Sequence, residues 1–117
     1  MNLIPKKSLG QNFLNNKSIL SKIVDTADLT TKDIVLEIGP GTGNLTEKLI
    51  SKRPQRMILV EKDKNLSQNL KNKFNGKVEV INKDFLDLSI IEKNYKNLSI
   101  FGNLPYNVAS EILIKII

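Results

Sequence analysis

Ile34-Val-Leu-Glu-Ile38 runs directly into Gly39-Pro-Gly-Thr-Gly43, and Leu45, Leu49 and Ile50 follow as a helical stripe that ends near Pro54. An apolar, β-branched run of this length reads as a buried strand. Glycines let the backbone turn sharply and let a ligand approach it closely. Strand, glycine loop and helix therefore form one unit, the kind of turn that nucleotide-binding α/β proteins place under a ligand. The loop departs from two phosphate-binding patterns. The dinucleotide fingerprint G-x-G-x-x-G requires a small residue where Asn44 stands, and G-x-x-x-x-G-K-[ST] is absent.

The same alternation of strand and helix repeats on both sides of this unit. Ile19, Leu20, Ile23, Val24 and Ala27 share one helical face and predict a helix before the sheet, closed by the loop Asp28–Asp33. Met57-Ile-Leu-Val-Glu61 predicts a second strand. Leu66, Leu70 and Phe74 mark the helix after it, ended by Asn75-Gly76. Val78-Glu-Val-Ile-Asn82 predicts a third strand, and Ser89-Ile-Ile-Glu92 has capping-box spacing for a short helix. Leu98-Ser-Ile-Phe-Gly102 predicts a fourth strand leading to a turn at Asn103-Leu-Pro-Tyr106, and Val108 to Ile117 reads as helical. Short strands alternating with amphipathic helices are the α/β pattern, a parallel sheet with flanking helices. In such sheets ligands sit beyond the carboxyl ends of the strands.

Composition sets the limits. The chain has 117 residues, enough for one domain and too few for two, with 40% hydrophobic and 26% charged residues as in an ordinary globular protein. Cysteine and histidine are absent, which removes disulfides, Cys/His zinc sites, thiol nucleophiles and the usual neutral-pH base; no metal site is expected. Neither a signal-peptide run nor a membrane-length apolar stretch is present, so a cytoplasmic location without membrane contact is expected. The net charge of +6 suits a polyanionic partner, although Lys supplies most of it, a bias that genome composition also produces. Before Asp25 the chain carries Lys6, Lys7, Lys17 and Lys22 and no acidic residue, which fits either a phosphate-contacting arm or a solvated tail.

Three polar positions fall at the predicted carboxyl edge. Glu61 ends the second strand about 20 residues beyond Gly39, where a carboxylate accepts hydrogen bonds from both hydroxyls of an adenosine ribose. Asp84, just past the third strand, is placed to receive the exocyclic amine of a bound adenine. Either could equally be a solvated carboxylate at a strand end. At Asn103-Leu104-Pro105-Tyr106 the Asn103 amide oxygen and the Leu104 carbonyl can each accept one N–H of an exocyclic adenine amine. That favours a pyramidal nitrogen with its lone pair aimed at a methyl donor, so no strong base is needed. Pro105 stiffens the segment and removes a competing donor, and Tyr106 offers a face on which an extruded base can stack. The alternative is an ordinary Asn/Pro turn with a core tyrosine.

Lys7-Ser-Leu-Gly-Gln-Asn-Phe-Leu14, Glu37-Ile-Gly-Pro-Gly-Thr-Gly-Asn-Leu-Thr46 and Phe101-Gly-Asn-Leu-Pro-Tyr-Asn107 resemble the small-subunit ribosomal RNA adenine N6,N6-dimethyltransferases, and the resemblance spans essentially the whole chain. The last motif is that family's form of the Asn/Asp-Pro-Pro-Tyr signature of amino-methyltransferases, with Leu104 at the first proline's position. The resemblance implies a Rossmann-like, S-adenosylmethionine-dependent methyltransferase fold. It also implies dimethylation of two adjacent adenines near the 3′ end of small-subunit RNA, within a pre-ribosomal particle. By matching positions it assigns Asn12, Leu14, Gly39, Gly41, Glu61, Asp84 and Asn103 to the cofactor, and Asn103, Leu104, Pro105 and Tyr106 to the target base.

The resemblance further implies a basic, cofactor-closing arm over residues 1–17 and a cofactor-binding sheet with helices over 18–117. In that family further strands and a small helical RNA-binding domain follow. The expectation is therefore an incomplete fold whose fourth strand is an uncovered edge and whose last helix is an apolar stub. Two rivals stand beside this reading. One is the related large-subunit dimethyltransferase group of the antibiotic-resistance type, against which the Gly-Pro-Gly-Thr-Gly-Asn-Leu-Thr loop speaks. The other is a non-catalytic RNA-binding remnant. A nicotinamide-dependent oxidoreductase has little beyond the glycine loop in its favour.

Overall fold

The structure is a computed structural model that describes residues 2–4, 17–84, 97–106 and 109–116, with side chains described for 17–84 and 97–102. Among the described residues six strands form one sheet: β1 (Asn2–Ile4), β2 (Ile34–Ile38), β3 (Arg56–Val60), β4 (Glu79–Ile81), β5 (Leu98–Tyr106) and β6 (Ala109–Ile116), in the order β1-β6-β5-β2-β3-β4. Strands β5, β2, β3 and β4 are mutually parallel, with Ile38 opposite Val60 on one side and Gly102 on the other. Three helices are described: α1 (Lys17–Thr26), α2 (Asn44–Ser51) and α3 (Lys64–Lys73). The predicted four-strand parallel α/β core is thus present. The predicted Ser89–Glu92 helix lies outside the described residues.

All five residues of β2 are buried, as expected for a strand packed on both faces of a parallel sheet. On one face Val35, Met57, Leu59 and Phe101 meet Leu20, Ile23, Val24 and Ala27 from the α1 region, Leu45 and Leu49 of α2, and Leu70 and Phe74 at the end of α3. The helical stripes read from the sequence are the faces that pack here, although Ile19, Ile50 and Leu66 are only partly buried. On the other face Ile34, Leu36, Ile38, Ile58, Val60, Leu98 and Ile100 form a second buried layer. Asp63 caps α3 by accepting the Leu66 N–H at 2.9 Å.

The end of the chain departs from expectation. Val108–Ile117 was predicted helical; Ala109–Ile116 is instead a strand, antiparallel to β5 from Ser99↔Ile116 to Tyr106↔Ala109. The expected uncovered edge at β5 is therefore covered, and β1 pairs in turn with β6, Asn2 opposite Ile114. An isoleucine-rich segment is competent for either state, and pairing as a strand also satisfies the edge N–H and C=O groups of β5, which a helix would leave open. Asn103–Tyr106 likewise belongs to β5 itself and is not a separate turn. A residue before proline is pushed toward the extended region, which suits Leu104 in a strand. Because β2 stops opposite Gly102, these four residues project past the parallel part of the sheet at its carboxyl edge.

The end of α3 packs beneath the glycine loop. Gly43 has φ +92°, and a Cβ there would lie 2.6 Å from Phe74 Cε2 and 2.9 Å from its Cζ; Gly41, at φ +60°, has open space around the same position. Gly43→Ala combines backbone strain with overpacking and is expected to cost about 2–4 kcal/mol, whereas Gly41→Ala should cost roughly 1 kcal/mol. Urea denaturation of the two variants checks this; equal losses would contradict the packing described.

Candidate functional site

The carboxyl edge of the parallel strands is organised by backbone donors around one carboxylate. Gly39 donates its N–H to the Val60 carbonyl at 2.9 Å, which fastens the start of the glycine loop to the end of β3. Gly39, Gly41 and Gly43 have φ of 66°, 60° and 92°. This left-handed backbone at three alternate residues is what folds the loop back over the sheet edge. Gly41 then donates to Glu61 Oε1 at 3.3 Å, and Asp63 donates to Glu61 Oε2 at 2.9 Å.

Glu61 is 6% exposed. Its backbone is equally committed: its N–H donates to the Ile81 carbonyl, and its own carbonyl accepts from Ser67 Oγ and Asn82 Nδ2. A second bond from Asn82 Nδ2 reaches the Lys62 carbonyl at 3.0 Å. The side chain is therefore held in one orientation from β2, β3 and the segment after β4. Each carboxylate oxygen can accept more than one hydrogen bond, so acceptor capacity remains after both backbone donors are counted.

The structure thus brings together Gly39, Gly41 and Glu61, three of the residues singled out from the sequence. Asp84 is exposed in the segment following β4, on the same edge. Asn103, Leu104, Pro105 and Tyr106 lie on β5 beyond its pairing with β2, also at that edge. Asn12 and Leu14 lie outside the described residues. Among the described residues no group of three or more metal-ligating side chains occurs, and no helix is long and apolar enough to cross a membrane. A groove of about 390 Å³ bordered by Ile50, Arg53, Pro54 and Lys77 opens at the amino-terminal edge of the strands and contains none of these positions.

Sequence reasoning passed over two tertiary features. Glu37, noted only as the start of a motif, is 2% exposed and accepts the Thr46 hydroxyl at 2.5 Å. Burial, with a smaller contribution from the nearby Glu61 charge, pushes its carboxyl up to about 7 against the opposing effect of the Thr46 bond. A lone acid inside an otherwise apolar strand, followed by a threonine on the buried stripe of α2, was the available signal. The second feature is Lys73, whose Nζ donates to the Thr42 carbonyl at 3.0 Å and pairs with Glu47 at 3.2 Å, so that α3 holds the loop from its outer side. No local pattern announces that contact.

Because the Glu37 pKa is raised on folding, the folded state binds more protons than the unfolded chain between about pH 4.5 and 7. The stability this residue contributes is complete below that window and is lost as pH rises through 7. Glu37→Gln keeps the acceptor for Thr46 and removes the titration. Measured by urea denaturation, its stability relative to wild type should improve by about 2–3 kcal/mol from pH 5 to pH 8. Parallel pH profiles would contradict the burial of this charge.

The family model for ribosomal RNA adenine dimethylase matches residues 3–117. Ribosomal RNA small subunit methyltransferase A of Pelagibacter ubique (strain HTCC1062) is 51% identical over 110 residues, which take in 94% of this chain and 42% of that relative. The crystal structure of 23S rRNA methyltransferase ErmE aligns with a TM-score of 0.69 at 30% identity, covering 80% of this chain and 37% of that one. A dimethyladenosine transferase from Plasmodium falciparum aligns with a TM-score of 0.66 at 31% identity, covering 80% and 34%. The chain spans less than half the length of these relatives. The fold is the Rossmann-like one of S-adenosylmethionine-dependent methyltransferases, and on the family-model match over residues 3–117 the chain belongs to the ribosomal RNA adenine dimethylase family.

Proposed function

We propose that this chain carries the cofactor-binding part of an rRNA adenine N6,N6-dimethyltransferase that acts on two adjacent adenines near the 3′ end of small-subunit RNA. The observation that carries the reading is the Glu61 carboxylate, fixed by the Gly41 and Asp63 N–H groups beside a loop whose Gly41 would project a Cβ into open space. A diol-accepting carboxylate next to a loop kept clear of side chains suits an adenosyl ligand without a ribose phosphate. S-adenosylmethionine, when bound, supplies an electrophilic methyl on a sulfonium.

The chain's own residues then divide the work. Glu61 accepts the ribose hydroxyls, Gly39 and Gly41 let the ligand lie against the backbone, and Asp84 accepts the adenine amine. Asn12 and Leu14 close over the cofactor. Asn103 and the Leu104 carbonyl accept the two N–H groups of the target amine, which raises the nucleophilicity of its nitrogen without removing a proton first. Pro105 keeps that segment extended, and Tyr106 stacks on the extruded base. The surplus of lysine fits an RNA partner, whose phosphates attract it.

Labelled methyl transfer to unmethylated ribosomal subunits, with modified adenines mapped in both RNAs, tests the proposal. Label on paired adenines near the 3′ end of small-subunit RNA is expected. Label in large-subunit RNA would move the chain to the resistance-type branch, and RNA retained without label would make it a binding module. In the same assay Tyr106→Ala should lose at least about tenfold more activity than Tyr106→Phe, since stacking needs the ring and not the hydroxyl; equal losses would remove the stacking role.

A further inference from the structure

Glu37 has no part in the contacts assigned above, yet it is buried at the carboxyl end of β2, beside the site. Among the described residues the Thr46 hydroxyl is its one hydrogen-bond partner. The charged groups around it are easily enumerated among the described residues. Leu59 of β3 lies opposite it, and the nearby charge is Glu61, one residue past the end of β3 and itself buried. Of the polar and charged residues of α2 only Thr46 is buried; Glu47 is engaged by Lys73 of α3, and Lys48 lies toward α1 beside Asp25 and Lys52. The buried stretch Leu98–Gly102 of β5 brings no charge. Two carboxylates thus share one low-dielectric corner without a described cation between them, an arrangement that disfavours charge on Glu37, the more deeply buried of the two.

A ligand whose ribose sits on Glu61 and whose chain runs along the glycine loop would bring the atom attached to its ribose C5′, and any charge on that atom, toward this corner. We propose that Glu37 is a specificity-determining residue that selects for cationic charge: it holds a proton more readily in the ligand-free site than with a cationic ligand seated, and releases that proton to solvent as such a ligand binds. This rests on the adenosyl-cofactor reading and extends it. The sulfonium donor gains a counter-charge that the neutral thioether product does not need. The site therefore discriminates between them, and the discrimination weakens as pH falls. Glu37 acts through the field and through Glu61, since its own side chain is almost fully covered.

Calorimetric titrations at pH 6 and pH 7.5 stay below most of the range in which a ligand's own α-amino group titrates. Three ligands are compared: S-adenosylmethionine; sinefungin, which carries a protonated amine in place of the sulfonium; and S-adenosylhomocysteine, which is uncharged there. Wild type should bind the first two about eightfold more tightly at the higher pH, with S-adenosylhomocysteine changing by less than about twofold. Glu37→Gln should flatten that slope and lower the preference for the cationic ligands below the value wild type shows at pH 6. Thr46→Val removes the bond that favours the charged form, so it should move the midpoint of the pH dependence upward, which gives a second test if Glu37→Gln folds poorly. Equal slopes in wild type and Glu37→Gln, or equal slopes for cationic and neutral ligands, would overturn the proposal while leaving the cofactor reading intact. Failure of wild type to bind any of the three would overturn both.

Discussion

The hydrogen bonds that join the ends of β2 and β3 set the terms for everything at the carboxyl edge. Once Gly39 donates to Val60 and Gly41 to Glu61, the loop has one path available, and that path requires positive φ at three glycines. The start of α2 follows from the loop's exit at Gly43. Phe74, packed where a Gly43 side chain would be, fixes where α3 ends. Parallel pairing makes this economical, because it places the carboxyl ends of β5, β2, β3 and β4 at the same edge, so one loop and one carboxylate can be braced from several elements at once.

Much of this was legible in the sequence because its signals are local. Apolar β-branched runs located β2, β3, β4 and the first part of β5 to within a residue or two, and the stripes Leu20/Ile23/Val24, Leu45/Leu49 and Leu70/Phe74 are the faces that reach the core. The juxtaposition of Gly39, Gly41 and Glu61 was legible for the same reason: strand ends in a parallel sheet are neighbours whatever the loops between them. Asp63, the cap of α3, carried an ordinary N-cap signal that the reading passed over.

What was not legible depends on tertiary context. The isoleucine-rich tail satisfies helical and extended periodicities alike, and the open edge of β5 decides between them. Lys73 reaches the carbonyl of Thr42 across a separation in sequence that no pattern records. The buried pair Glu37 and Thr46 joins a strand to the helix after it, and its importance emerges only when both residues prove to be inside. An acid in a strand is unremarkable at the surface and consequential at 2% exposure. Such residues break the local hydrophobic rule, and in folded proteins that break is commonest near functional sites.

The proposed role of this sheet edge, with Glu61 held by the glycine loop, is to seat an adenosyl cofactor. Calorimetric titration of the chain with S-adenosylmethionine, with Glu61→Ala alongside, tests it most directly. Saturable binding by wild type that is lost in the variant, while the variant keeps a cooperative unfolding transition, is the predicted result. Binding of equal strength in both, or none in a folded wild type, would contradict it.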